Sequence, residues 1–306
     1  MNAVQIENVT KTFGKVTAVD DLSLNVPQGS VYGFIGPNGS GKTTTLRMIM
    51  NIFYPDRGAI RVFGEKLRGA CTDRIGYMPE ERGLYRRMKV REVLEFCGEI
   101  KNGKNVRREV GLWLERFDLA GWANKKVEAL SKGMSQKVQF IATVVSRPEL
   151  VILDEPFSGL DPVNTDAVRA AILDLRAQGT TAIFSTHDMN VAEKMCDFIF
   201  MIFQGRKVLD GALAAIQDDY GTDTIRVRTD DGAAALRDLE GVDKINDFGR
   251  MQELHMTRNC DPQRVLAAIM SRTRVQSFEI AKPSLHDIFV RIAGPEAKEA
   301  HHAQGP

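Results

Sequence analysis

An α/β domain followed by a smaller α+β unit is predicted by three features of this 306-residue sequence. Short apolar runs at Ser30–Ile35, Leu150–Leu153 and Thr181–Ser185 alternate with helical spacing, as in a parallel sheet. A Gly-rich loop joins the first of these runs to a helix-like segment, and the last third changes to short alternating strands and helices. Apolar residues at 43% and charged residues at 26% are ordinary for a packed globular chain, and the length suits two domains.

The order of elements follows from local pattern. Val4–Val9 and Asp21–Val26 alternate apolar and polar residues, and Pro27-Gln28-Gly29 turns the chain, which predicts a β-rich opening. Lys42–Asn51 places Leu46, Ile49 and Met50 on one helical side. From about Met88 to Thr143 apolar residues recur every three or four positions (Val90, Val93, Leu94; Leu112, Leu114, Phe117), predicting a helical lobe. Beyond Asp218 the segments Thr224–Thr229, Gly232–Leu239, Val242–Phe248, Met251–Thr257, Pro262–Ser271, Arg274–Ile280 and Ser284–Ile292 read β-α-β-β-α-β-α. That order resembles a ferredoxin-like split βαβ unit. The polar tail Gly294–Pro306 is expected to be disordered, and its pair His301-His302 is too short and exposed to read as a metal site.

Composition excludes several functions. With 41 Lys and Arg against 40 Asp and Glu, no overall basic field announces nucleic acid. Cys71, Cys97, Cys196 and Cys260 are scattered without ligand spacing and are expected to be reduced, mostly buried thiols. The apolar stretch Phe198–Phe203 falls far short of a membrane helix, and the start of the sequence lacks the pattern of a signal peptide.

The segment Gly36-Pro37-Asn38-Gly39-Ser40-Gly41-Lys42-Thr43-Thr44 fits G-x-x-x-x-G-K-[ST] between a predicted strand and a predicted helix. Glycines let successive amide groups turn inward as an anion nest, and the helix adds its positive end. Lys42 would then bridge the β- and γ-phosphates of ATP, Thr43 would ligate Mg²⁺ and Thr44 would reach the α-phosphate. Leu150–Leu153 ends in Asp154 and Glu155, and a parallel strand delivers its C-terminal end to the ligand edge of the sheet. Asp154 suits Mg²⁺ through its water shell, and Glu155 suits the general base for an attacking water.

These motifs, in this order over about residues 1–215, resemble the nucleotide-binding subunits of ABC transporters. The resemblance implies a P-loop NTPase fold with a mixed sheet core, an antiparallel β part and a helical subdomain at about 85–145. Residues 1–217 would be the ATP-binding domain and 218–293 an accessory domain. Leu130-Ser131-Lys132-Gly133-Met134 stands where the family carries its signature loop, usually Leu-Ser-Gly-Gly-Gln. In the family that loop closes on ATP held by the opposite subunit, so Ser131 and Gly133 would meet a partner's γ-phosphate. Asp161, in Ser158-Gly159-Leu160-Asp161, resembles the D-loop that crosses the dimer interface, and His187 resembles the switch histidine. Phe13 resembles the ring that stacks on adenine. Each also has a simpler reading: core packing for Phe13, a helix-cap neighbour for His187 and an ordinary turn for Asp161.

Three positions depart from the family pattern. Glu80 replaces the usual Gln at the loop joining core and lobe, where it could still ligate Mg²⁺ while adding charge. Lys132 and Met134 replace Gly and Gln; Lys132 either adds charge near phosphate or points to water. Pro79-Glu80-Glu81-Arg82-Gly83-Leu84-Tyr85, the Lys-Gly-Met signature and the extra domain are similar to exporter ATPases of the sodium-efflux and drug-efflux type. Those pair with ABC-2-type permeases at the cytoplasmic face of the membrane, as homodimers or with a related subunit. An ABC-type ATPase acting on nucleic acid or ribosomes is the rival, but the chain has one cassette and no sustained heptads. A P-loop kinase would have no use for the signature loop or D-loop.

Overall fold

The computed structural model describes residues 1–66, 73–81, 83–102, 106–220, 224–257 and 260–292. Cys71, Arg82 and the tail with His301-His302 lie outside them. Packing divides the chain into Met1–Ala212 and a second unit from Leu213 onward.

In the first unit, β1 (Asn2–Phe13) and β2 (Val16–Pro27) form a long antiparallel pair, and β4 (Arg57–Val62) adds to the other side of β1. The pair extends well beyond the alternating cores read from sequence, because bulges interrupt the register without ending it. The larger sheet has six strands: β3 (Val31–Ile35), β5 (Ile75–Met78), β6 (Leu150–Leu153), β7 (Thr181–Thr186), β8 (Phe198–Phe203) and β9 (Arg206–Ala212). Their spatial order is β5-β6-β7-β3-β8-β9, parallel except for the last pair. Strands β3, β6 and β7 are buried at every position, which explains why they read as continuous apolar runs. One core joins both sheets and α1 (Lys42–Ile49), through residues such as Val4, Leu22, Phe34, Leu46, Ile152 and Phe200.

Strand register positions the site. Met78 is level with Leu153, Leu153 with Phe184, and Ile35 with Thr186. The chain therefore leaves β5, β6, β7 and β3 at one edge, where it presents Glu80, Asp154, Glu155, His187 and the Gly36–Gly41 loop. The helical lobe holds α2 (Val90–Asn102), α3 (Arg107–Arg116) and α4 (Lys132–Val144). Rings of Trp113, Phe117 and Phe140 pack together within it. Helices α5 (Pro162–Ala177) and α6 (Met189–Met195) follow β6 and β7. No helix among the described residues is long and apolar enough to cross a membrane.

The second unit begins with α7 (Leu213–Asp219) and carries β10 (Thr224–Thr229), β11 (Val242–Asp247), β12 (Gln252–Met256) and β13 (Val275–Ala281). Its antiparallel order, β11-β12-β10-β13, has the split-βαβ arrangement. Helix α8 (Pro262–Met270) covers the core formed by Ile225, Val227, Leu254, Val265 and Ile269, and a last helix runs over 285–292. The helix expected at Gly232–Leu239 is a 3-10 turn over Gly232–Leu236. Gly232 sits at φ +60°, outside the helical region, and the Asp231 carboxylate accepts from Thr273 Oγ1 instead of capping the turn. The cysteines also differ from expectation. Cys196 is buried, whereas Cys97 and Cys260 are only half-buried; all three are free thiols. Cys97 lines a groove of the helical lobe, and Cys260 packs against the edge of the second unit's core beside the Gly241 turn.

Candidate nucleotide site

The loop between β3 and α1 is shaped by glycines at close approaches. A Cβ on Gly36 would stand 2.2 Å from the Ile202 carbonyl oxygen, and one on Gly41 (φ +106°) would stand 2.4 Å from that of Ala18. Ser40 accepts a backbone hydrogen bond from Gly205 at 2.9 Å, so the turn between β8 and β9 braces the loop from behind. Gly36→Ala is therefore expected to lower stability by about 1–3 kcal/mol, because the opposing carbonyl belongs to a paired strand and cannot rotate away. Urea unfolding without nucleotide measures this.

Lys42 is only 5% exposed, and its Nζ donates to the carbonyls of Gly36 at 2.7 Å and Pro37 at 3.1 Å. The same Nζ lies 3.8 Å from Glu155 Oε1. Burial pulls the pKa of the ammonium below its ordinary value, while the charges of Glu155, Asp154 and Glu80 oppose that pull. Thr43, on the first turn of α1, donates to Asp154 Oδ1 at 3.2 Å, and Ser185 Oγ donates to the same oxygen at 2.6 Å. Asp154 is fully buried, yet its Oδ2 has no hydrogen-bond partner. A buried carboxylate oxygen without a partner beside a threonine hydroxyl fits a hydrated divalent cation, since desolvating that oxygen without compensation is costly. No group of three His, Cys, Asp or Glu among the described residues is placed to hold a metal ion by itself. A cation here would take most of its ligands from phosphate and water.

Glu155 is 7% exposed and adopts φ +48°, with its backbone N–H donating to Ser185 Oγ at 2.8 Å. His187 Nδ1 approaches both of its carboxylate oxygens, at 3.2 and 3.1 Å. The arrangement is a buried carboxylate held between an ammonium and an imidazole beside the Gly36–Gly41 loop. Such a group can accept a proton from water placed between it and a phosphate. Ser185 was not read from the sequence as part of this site, although it lies next to the end of β7 and bonds to both Asp154 and Glu155.

The structure brings together Gly36, Pro37, Asn38, Gly39, Ser40, Gly41, Lys42, Thr43 and Thr44 with Asp154, Glu155 and His187. Glu80 is exposed at the same sheet edge. Phe13 ends β1 and is 43% exposed, with its ring edge-on to Phe53 at 5.3 Å. Core packing therefore does not account for Phe13, whose ring also carries Lys11 Nζ 5.3 Å from its centre. Ser131 is different. It is the N-cap of α4, accepting from Met134 N at 3.3 Å, and Gly133 lies on the first turn facing Leu160 and Asn164. Among the described residues no hydrogen bond or ion pair joins Ser131 or Gly133 to Gly36–Thr44. Asp161 is more than a turn residue: it caps α5, accepting from Asn164 N at 3.0 Å, and that bond holds its carboxyl below the usual range.

Two glutamines missed in the sequence tie these parts together. Gln139 Nε2 donates to the carbonyls of Pro79 at 2.8 Å and Glu81 at 3.2 Å, fixing α4 to the loop that carries Glu80. Gln136 Nε2 donates to Pro156 O at 3.2 Å, directly after Glu155.

The fold and this site define a P-loop nucleoside triphosphatase whose sheet edge collects phosphate-binding and carboxylate groups. Residues 19–158 match the family described as "ABC transporter", and residues 211–293 match "ATP-binding protein DrrA1-3-like, C-terminal domain". The ABC transporter ATP-binding protein YhaQ of Bacillus subtilis is 40% identical over 291 residues, covering 94% of this chain and 98% of that protein. The Nod factor export ATP-binding protein I of Burkholderia lata is 33% identical over 306 residues, covering 97% and 98%. A solved ATP-binding subunit of an ABC transporter superposes with a TM-score of 0.67 at 29% identity, over 71% of this chain and 93% of that one. A cassette solved as a dimer after hydrolysis, with ADP and phosphate bound, gives 0.64 at 25% identity, over 69% and 98%. The chain belongs to the ATP-binding subunits of ABC transporters. It is an ABC-type ATPase that binds nucleotide.

Proposed function

We propose that this subunit binds ATP with Mg²⁺ at Gly36–Thr44 and hydrolyses it between two copies of the chain, driving export through a separate ABC-2-type permease. The observation that carries this reading is the division of the site. Lys42, Thr43, Asp154, Glu155 and His187 converge on one anion nest, whereas Ser131, Gly133 and Asp161 gather apart from it on α4 and α5. A second chain, facing the first, would supply that other group to complete the nucleotide's enclosure. The partner is a second copy or a closely related subunit, as the dimeric ADP-bound relative supports.

In this reading Lys42 and the loop amides hold the β- and γ-phosphates, and Thr44 reaches the α-phosphate. Phe13 stacks on the adenine. Thr43 and Asp154 would hold Mg²⁺, with Glu80 as a further carboxylate within its reach. When bound, the metal neutralises charge on the phosphate oxygens. Glu155 takes the proton from the attacking water, with His187 bonded to its carboxylate and directed toward the γ-phosphate. Ser131 and Gly133 donate to the γ-phosphate of the opposite nucleotide.

Export is supported by the names of relatives that match nearly the whole chain. Met1–Ala212 acts as the ATP-binding domain and the unit from Leu213 onward as an accessory domain, a boundary a few residues before the expected 217, supported by the packing and by the match over 211–293. A groove of about 340 Å³ in the helical lobe, lined by Leu84, Tyr85, Phe96 and Ile100, offers an exposed apolar and aromatic surface for the permease. The subunit would then sit at the cytoplasmic face of the membrane through that contact.

The test is phosphate release by the purified chain, together with recovery of a multi-span membrane protein when it is isolated from cells. Chelating the divalent cation with EDTA is expected to abolish turnover, because Asp154 then has no counter-charge to hold against the phosphates. Full activity in EDTA would overturn the assignment of Thr43 and Asp154.

A further inference from the structure

The first turn of α4 lies along the chain that leaves the sheet after Glu155, and three contacts join them. Gln136 Nε2 holds the Pro156 carbonyl at 3.2 Å. Gly133 faces Leu160 and Asn164, each 3.8 Å from where a Cβ would stand. Lys132 closes the outer end, with Cε and Nζ lying 2.5 and 2.7 Å from the position of a Cβ on Gly159. Gly159 has φ +71°, a left-handed turn that favours glycine, and a Cβ there would displace the end of the Lys132 side chain. Among the described residues Lys132 makes no ion pair. Lys132 is itself exposed, and the outer part of its side chain, from Cδ to Nζ, lies over Gly159.

The path from Gly159 back to Glu155 is short and braced. Ser158 N donates to Glu155 O at 3.1 Å, and Leu160 N donates to Phe157 O at 3.2 Å. The Phe157 ring stands edge-on to Phe184 at 5.6 Å. Glu155 sits in a left-handed backbone conformation, anchored by Ser185 Oγ. A shift of the Gly159 turn therefore has little slack to absorb it before it reaches the Glu155 carboxylate.

We propose that Lys132 is a positioning residue: its aliphatic stem, packed on Gly159, fixes the 156–161 loop against the first turn of α4 and through that loop sets the Glu155 carboxylate. The proposal rests on the reading of Glu155 as the base. Where the family usually has glycine, no side chain exists to do this. On this proposal the exposed lysine acts through the packing of its side chain rather than as a phosphate ligand.

Steady-state ATP hydrolysis by five variants tests it: Lys132→Ala, Lys132→Met, Gly159→Ala, the Lys132→Ala/Gly159→Ala double variant and Glu155→Gln. Lys132→Ala is expected to lower kcat about tenfold with KM for ATP almost unchanged, because only the placement of the base suffers. Lys132→Met keeps the stem without the charge and is expected to restore most of that loss. Gly159→Ala should cost less beside Lys132→Ala than alone, since the stem it displaces is already gone. Equal loss in Lys132→Met and Lys132→Ala would show that charge is what matters and overturn the proposal, as would an unchanged kcat in Lys132→Ala. If Glu155→Gln turns over like the unsubstituted protein, the reading of the base fails. If it is inactive while Lys132→Ala keeps its full kcat, only the role of Lys132 fails.

Discussion

Glu155→Gln is expected to bind ATP as the unsubstituted protein does while losing turnover by about 100-fold or more. The amide matches the carboxylate in shape, so the backbone at φ +48° and its bond to Ser185 Oγ should persist. What disappears is the capacity to take a proton from water. The negative charge near Lys42 Nζ, 3.8 Å away, also disappears, and that change does not weaken attraction for a triphosphate. ATP-bound protein should therefore accumulate, and a larger species should appear on size exclusion when MgATP is present. Removing one negative charge beside the γ-phosphate favours that closed state as well. Phosphate release measured against a nucleotide-retention assay separates the two effects. Undiminished release would remove Glu155 from the chemistry, and His187, which touches both carboxylate oxygens, would become the next candidate.

The parts of this site legible in the sequence are those whose chemistry is local. Gly36–Thr44 announces itself because anion nests need glycines at fixed offsets before a helix, and Asp154-Glu155 because a continuous apolar run must end where it meets ligand. Long-range partners were not legible. Nothing near Gly36 in sequence shows that the Ile202 carbonyl occupies the space of its missing side chain, or that Gly205 bonds to Ser40. Strands β4, β5 and β9 escaped for a related reason. They are short or partly exposed, and their pairing partners rather than their own pattern define them. A usable signal did exist for the glutamine tethers. Helix α4 buries Gln136, Lys137 and Gln139 among apolar residues, and polar side chains buried around a helix must find partners elsewhere. In the second unit the sheet order followed from the spacing of turns, but Gly232 and a carboxylate engaged by Thr273 prevented the first helix from nucleating.

Lys42→Ala is expected to weaken ATP binding by about 100-fold to 10,000-fold, the largest effect on affinity that any single change here should produce. Two charge-assisted hydrogen bonds to phosphate, each worth about 1.5–3 kcal/mol, account for that range. The structure indicates how the ammonium is kept ready. It is buried, donates to two loop carbonyls and is disfavoured in its charged form by burial, with nearby carboxylates offsetting that penalty. A triphosphate adds negative charge to that of the nearby carboxylates, so binding further offsets the penalty that burial imposes. Lys42→Arg should not rescue, because a planar guanidinium cannot act as a compact point charge. Thermal unfolding with and without MgATP checks both variants. The unsubstituted protein should gain about 3 kcal/mol at a nucleotide concentration a hundred times its Kd, whereas Lys42→Ala at the same concentration should gain little. An equal gain in both would mean that the Gly36–Thr44 loop is not where the nucleotide binds.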